Sequence, residues 1–258
     1  MKPSLTYYSI ADGVTAFSTT RHGGASQGNY ASMNINSHCG DSLETVAANR
    51  RMLAAELKIE EQRIMVPHQV HGTICKGITD DFFNLSPSGQ CEFLDGIDAV
   101  MTRCTNLCIG VSTADCIPIL LYDSRNHAAA AVHAGWRGTV SYIARKVVEA
   151  MVSTFGSRPE DILAVIGPGI SLRNFEVGQE VYDAFAASGH DMTAIAAKYA
   201  KWHLDLPLSN KLQLEAAGLK PANITTTDIC TYDAVDDYFS ARRLGIASGR
   251  IYTGIVLR

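Results

Sequence analysis

A chain of 258 residues can bury roughly 70% or more of the surface its unfolded form exposes, so a substantial core needs neither disulfides nor a partner subunit. The 22 basic and 26 acidic side chains leave a formal net charge of −4 and are spread along the sequence, which gives no electrostatic footprint for nucleic acid or an anionic membrane. The longest apolar runs, such as CIPILLY from Cys116 to Tyr122, have strand length and fall far short of the ~18 residues of a membrane-spanning helix.

The opening segment MKPSLTYYSIADG has no charged start followed by an apolar core, so no secretory signal is read there. Seven scattered cysteines are an odd number in a chain too large to need a disulfide framework. A reducing, cytoplasmic setting is expected. Cys104 and Cys108 stand in C-x-x-x-C spacing, but no second Cys or His pair follows at a zinc-ribbon interval.

In chain order, a first helix is expected from Ser42 to Leu57, where Asp41 and Glu44 resemble a capping box and Val46, Leu53 and Leu57 supply an apolar face. Runs at Ile64–Val70, Asp98–Thr102, Leu107–Val111, Ile117–Tyr122, Ala128–His133 and Ile162–Ile166 read as strands. Between the first two of these, Asp80 to Phe93 carries Asn84, Pro87, Ser88 and Gly89 and reads as a surface loop.

After Gly138, the apolar positions Val140, Ile143, Ala144, Val147, Val148, Met151, Val152 and Phe155 predict one continuous buried helix. Gly156 and Pro159 end it. Further helices are expected at Gly178–Ala187 and Asn210–Ala217. The interspersed order predicts an α+β fold, mixed sheets flanked by helices in a single domain over residues 1–258.

The most informative stretch for chemistry is Ala128–Gly138, a small-residue strand that ends in His133, turns through glycine and carries Trp136 and Arg137 into a helix. Free N–H groups at such a helix start, with the Arg137 guanidinium, suit an anion such as phosphate. Upstream, Asp115 and Cys116 sit at a strand end, where the cysteine is a metal ligand, a nucleophile or a small buried hydrophobe. The third piece is Pro67-His68-Gln69-Val70-His71-Gly72. On a strand, residues three apart face opposite ways, so only one of the two histidines serves a common site.

One of these imidazoles, the Cys116 thiolate and His133 form a His₂Cys set with a fourth position open, which suits catalytic Zn²⁺ and would also bind Cu²⁺. Arg21 among its glycines, Asn34, and the tail with Arg242 read as walls of the same pocket, with Trp136 offering a flat face to a ring.

Taken together, the segments S-T-T-R-H-G-G, Y-A-S-M-N, H-C-G-D, Q-V-H-G, D-G-I-D-A, T-A-D-C-I-P, A-V-H-A-G-W-R-G, G-P-G-I, F-E-V-G, C-T-Y and Y-F-S-A-R-R closely resemble the YfiH-type family. That family was first described as laccase-like multicopper polyphenol oxidoreductases. It is now regarded as zinc-dependent purine nucleoside phosphorylases that also deaminate adenosine and act on methylthioadenosine. The resemblance covers nearly the whole chain and implies His71, Cys116 and His133 as metal ligands, with His68 outside the set and His22 a local departure.

The resemblance also implies a purine nucleoside and phosphate as partners, and Arg137, Arg21 and Arg50 are the expected phosphate cations. The family's similarity to a toxin catalytic domain supports a rival reading, a Cys116–His133 amidase editing peptidoglycan precursors. A copper oxidase is weakened because eight scattered histidines are few for a multicopper centre.

Overall fold

The computed structural model describes residues 2–258. Strands β6 (Ile117–Asp123) and β7 (Ala128–Ala134) are buried along their whole length, and their alternating side chains sort the molecule into layers. Ile117, Ile119, Leu121, Ala130 and Val132 join the core under helix α4 (Ile143–Phe155). Leu120, Tyr122, Ala129 and Ala131 point the other way, into a core shared with a second sheet. The run of alanines in β7 lets both layers approach a strand covered on both faces.

The six-stranded sheet has the order β12 (Ile224–Thr226), β8 (Ile162–Ile166), β6, β7, β4 (Ala99–Thr102), β3 (Cys75–Ile78). Its inner pairs are antiparallel and its two edge pairs parallel. The second sheet is antiparallel throughout, in the order β1 (Leu5–Tyr8), β2 (Val14–Thr19), β13 (Ile251–Leu257), β5 (Cys108–Thr113).

Helix α1 (Leu43–Leu57) covers the far face of the second sheet, with Leu53, Ala54 and Leu57 on Phe17, Tyr252 and Val256. Helix α7 (Leu206–Ala216) joins α4 over the six-stranded sheet. A small sheet of β9 (Glu176–Val177), β10 (Ala196–Lys198) and β11 (Trp202–Leu204) lies with α5 (Gln179–Ala187) and α6 (Met192–Ile195). The result is the expected mixed α+β class. Among the described residues no helix is long and apolar enough to cross a membrane.

Several local expectations change. The stripe from Val140 to Phe155 is two helices, α3 (Trp136–Val140) and α4, separated by Ser141 and Tyr142. Tyr142 adopts φ +61°, held by its hydroxyl on the Ser188 carbonyl at 2.7 Å and by stacking on His190. Val140 and Ile143 still pack on one core, which is why the periodicity hides the break. Asp80–Phe93 is not a loop: a 3₁₀ turn at Asp80–Asn84 leads to α2 (Pro87–Leu94), whose Ser86 hydroxyl accepts the Gly89 N–H. Ser86 and Pro87 are there the start signal of a helix.

Ile64–Val70 forms only isolated bridges, Ile64 with Cys108 and His68 with Asp95, and Pro67 supplies no N–H for a ladder. The expected helix at Asn210 begins earlier, at Leu206, capped by Asp205. The capping box at α1 is not made: Ser42 is the N-cap without a side-chain bond, and Asp41 accepts from Ser26 and Asn34 instead.

Candidate metal centre

Strands β4 and β7 pair antiparallel with Ala99 opposite Val132, which sets Asp98 beside His133 at the strand ends. Both are buried, at 0% and 3% exposure. His133 Nδ1 donates to Asp98 Oδ1 at 2.7 Å, and the His133 N–H donates to the Asp98 carbonyl at 2.8 Å. Burial alone would raise the Asp98 carboxyl. The hydrogen bond and charge of His133, with the N–H groups of Gly72 and Val70, outweigh burial and hold it below the ordinary carboxylate range.

The same carboxylate organises the loop that carries His71. The N–H groups of Val70, His71 and Gly72 point at it from 3.3, 2.9 and 2.6 Å, a small anion nest. His71 takes φ +62° in this turn and leans its exposed ring toward His133, with centroids 4.8 Å apart and planes at 72°. Cys116 follows Asp115, itself at φ +83°, in the turn that leads into β6. The donor atoms of His71, Cys116 and His133 all lie within 4.8 Å of one another.

Gly135, at the start of α3, makes the convergence possible. A Cβ there would stand 2.7 Å from His71 Cδ2 and 3.1 Å from Cys116 Sγ. Burial by itself would raise the Cys116 thiol, but the charge of His133 and hydrogen bonds to His133 and His71 lower it to about 6. Burial likewise disfavours the His133 cation, yet the Cys116 thiolate and Asp98 raise it to about 9. The two shifts run in the same sense: each group favours the charged form of the other.

The donor chemistry fits a divalent ion. One soft thiolate and two imidazoles converge, and Asp98 occupies His133 Nδ1, the outer-sphere arrangement typical of a ligating histidine. Among the described residues this is the single cluster of three or more such donors. His68 lies outside it, with its ring paired to Asp95 at 2.6 Å and stacked on His38. The structure thus brings forward His71 through a left-handed turn, not through strand alternation.

The other candidates fall in different places. Arg137 is exposed, lies 4.3 Å over the ring of its neighbour Trp136, and among the described residues makes no hydrogen bond or ion pair. Trp136 packs partly on the main core. Asp115 turns its carboxylate away from the thiol, accepting from the Thr231 hydroxyl and the Arg242 N–H, both at 2.7 Å. Arg21 donates to the Ala31 and Val235 carbonyls, Arg50 to the Ile64 carbonyl and Arg242 to the Glu176 carbonyl. Asn34 is buried among Asn36, Cys39 and Asp41.

Cys104 and Cys108 do not form a metal pair, since Cys108 is buried beside Tyr252 and Cys104 faces the Ile78 carbonyl. Asp98 and Gly135 received no role in the sequence reading. The signal for Asp98 was a lone acid heading the apolar run Ala99-Val100-Met101.

Residues 15–258 match the family model described as multi-copper polyphenol oxidoreductase laccase. A purine nucleoside phosphorylase of Bacteroides thetaiotaomicron is 44% identical over 98% of this chain and 94% of its own length. An adenosine deaminase from an unknown prokaryotic organism is 39% identical, over 97% of both chains. The crystal structure of a hypothetical protein YfiH from Bacillus licheniformis superposes with a TM-score of 0.89 at 28% identity, covering 98% of this chain and 99% of that one. This full-length agreement in sequence and fold places the chain in the multi-copper polyphenol oxidoreductase laccase family, to which it belongs together with relatives of the YfiH type.

Proposed function

We propose that the protein is a purine nucleoside phosphorylase that also deaminates adenosine, acting on adenosine, inosine and methylthioadenosine. The observation that carries this reading is the 44% identity, over nearly both full lengths, to a protein named for that activity. His71, Cys116 and His133 are the metal ligands of this reading, and zinc is the ion. Zinc bound there supplies Lewis-acid polarisation of a substrate oxygen and water of lowered pKa for deamination.

The remaining work falls to the chain. Arg137, whose guanidinium makes no hydrogen bond or ion pair among the described residues and stacks over Trp136, holds phosphate, and the indole lies beside the purine once Arg137 turns to the anion. In phosphorolysis a phosphate oxygen attacks C1′ while the C1′–N9 bond breaks and the purine leaves with the bonding pair. Positioning of the anion against C1′ is the main catalytic demand of that step. Arg21, Arg50 and Arg242 spend their guanidinium donors on backbone carbonyls, so in this reading they and Asn34 hold the walls in shape. Asp115 fixes the turn that presents Cys116.

Zinc is favoured over copper on the distribution of histidines. Outside the cluster, His22 pairs with Asp237, His38 with His68, His127 with Tyr122, His190 with Tyr142 and His203 with Tyr199, so the described residues hold no second cluster of three or more such donors, whereas a multicopper oxidase needs several. The chain acts in this reading as one domain over residues 1–258, in the cytoplasm, on small molecules without nucleic acid or membrane.

A second reading has its own observation. Cys116, His133 and Asp98 stand in the order nucleophile, base, carboxylate, with the thiol already lowered to about 6, which suits a cysteine amidase acting on peptidoglycan precursors. Protein purified without a histidine tag separates the two. Phosphate-dependent hypoxanthine release from inosine, lost on chelation and in Cys116→Ala, supports the phosphorylase. Cleavage of a peptidoglycan precursor by metal-free protein, with no turnover of any purine nucleoside, overturns it.

A further inference from the structure

One buried carboxylate touches two of the three donor residues. Asp98 Oδ1 accepts His133 Nδ1–H at 2.7 Å and the His71 N–H at 2.9 Å. Asp98 Oδ2 accepts the Gly72 N–H at 2.6 Å and the Val70 N–H at 3.3 Å. The acceptor positions of a single group are filled by one ring and three consecutive amides. The loop they belong to has no ladder of its own. Two further side-chain ties hold it: His68 Nδ1 bonds Asp95 Oδ1 at 2.6 Å, and the Gln69 amide donates to the Ser112 carbonyl at 2.8 Å and accepts the Ser112 N–H at 2.7 Å.

We infer that Asp98 is a positioning residue that orients both imidazoles together, fixing the proton of His133 on Nδ1 and the pose of the His71 turn with the same carboxylate. With one proton held on Nδ1, it is Nε2 that faces Cys116 and gives up its proton when an ion is ligated. The left-handed backbone of His71 is a strained conformation for a residue with a Cβ, and three N–H bonds to one anion hold it in place.

An amide in place of the carboxylate cannot serve both halves. In Asp98→Asn, an oxygen turned to His133 sets the NH₂ against the Gly72 and Val70 N–H groups, donor against donor. The flipped amide sets the NH₂ against Nδ1 and moves the imidazole proton to Nε2, where it blocks ligation. Asp98→Glu keeps the charge but adds a methylene to a filled site.

The affinity arm of the test rests on the zinc reading, whereas the proton arm does not. Heteronuclear NMR of the full-length wild type, metal-free and zinc-loaded, is expected to show a His133 Nδ1–H proton protected from solvent exchange and a strongly downfield Gly72 amide in both states. In Asp98→Asn one of these signatures disappears and zinc affinity, read by chelator competition, falls about 10- to 100-fold. Gln69→Leu loosens the same loop from Ser112 yet keeps the protected Nδ1–H. An unprotected His133 Nδ1–H in the wild type overturns the inference, as does a folded Asp98→Asn with zinc affinity within about twofold of the parent. Where Asp98→Asn does not fold, the wild-type spectra alone decide. A wild type that binds no zinc yet shows the protected proton removes the metal reading and leaves Asp98's role standing.

Discussion

Gly135→Ala adds one methyl group where the two loops and β7 converge, and its consequence can be worked from the geometry. Gly135 has φ −68° and ψ 167°, an extended conformation any residue adopts, so the backbone accepts alanine without strain and the lower unfolded-state entropy is worth about 0.4–1 kcal/mol. The new Cβ, however, stands 2.7 Å from His71 Cδ2 and 3.1 Å from Cys116 Sγ, where ordinary contacts begin near 3.4 Å. Relief falls on the His71 ring, which is exposed on a turn, because Cys116 is bound into the start of β6. The ring must retreat by about 0.7 Å to reach that distance; since a misplacement of about 1 Å costs on the order of 100-fold at a catalytic centre, the loss is up to about 2.7 kcal/mol of transition-state stabilisation. The expected result is a melting temperature near that of the wild type, with kcat/KM for inosine at saturating phosphate and zinc affinity both far lower. A folded Gly135→Ala that keeps both within about threefold refutes the reasoning, and so does a variant that loses activity only because it unfolds.

Phosphate recognition divides the arginines. Arg137→Ala is expected to raise the KM for phosphate by about tenfold or more without changing zinc content. Arg21→Ala, which leaves the Ala31 and Val235 carbonyls without their donors, is expected to cost about 1–3 kcal/mol of stability instead; initial rates against phosphate and thermal melts distinguish them. For the metal-free protein, the Cys116 thiol lies at about 6. Since the thiolate is the reactive form, alkylation of Cys116 should rise as pH increases through that value and level off above it, where an ordinary thiol would still be rising. His133→Ala removes the neighbour that lowers the thiol, so the midpoint should move upward; mass spectrometry of Cys116 across the pH series reads both.

The layered core was legible because burial on both faces leaves an unmistakable trace. The apolar runs that became β6, β7 and β8 cannot be read as anything solvated, and Gly156 ends α4 in the left-handed conformation that glycine permits. The break at Tyr142 was not legible, because α3 and α4 keep their apolar positions on one side and the interruption depends on tertiary contacts with Ser188 and His190. Strand β13 lies between β2 and β5 at the middle of its sheet, a place set by pairing partners far away in the chain.

At the site, residue types were more legible than side-chain directions. Cys116 and His133 stood out as polar groups at the ends of apolar strands. Asp115 sits next to Cys116 in sequence, but its positive φ carries the carboxylate to Thr231. Strand parity led to a single histidine from H-x-x-H, whereas the structure separates the pair by a turn wound around Asp98. Asp98 itself is one acid in one strand, and only the register of β4 on β7 reveals what it faces.

The most direct test of the account is a reconstitution titration: metal-free protein is loaded stepwise with zinc while hypoxanthine release from inosine and phosphate is followed by chromatography, for the wild type and Cys116→Ala. The account predicts a rate that grows in proportion to bound zinc, saturates when the His71–Cys116–His133 site is filled, and is absent in Cys116→Ala. A wild-type rate that is already complete before any zinc is added, or one retained in Cys116→Ala, would contradict it.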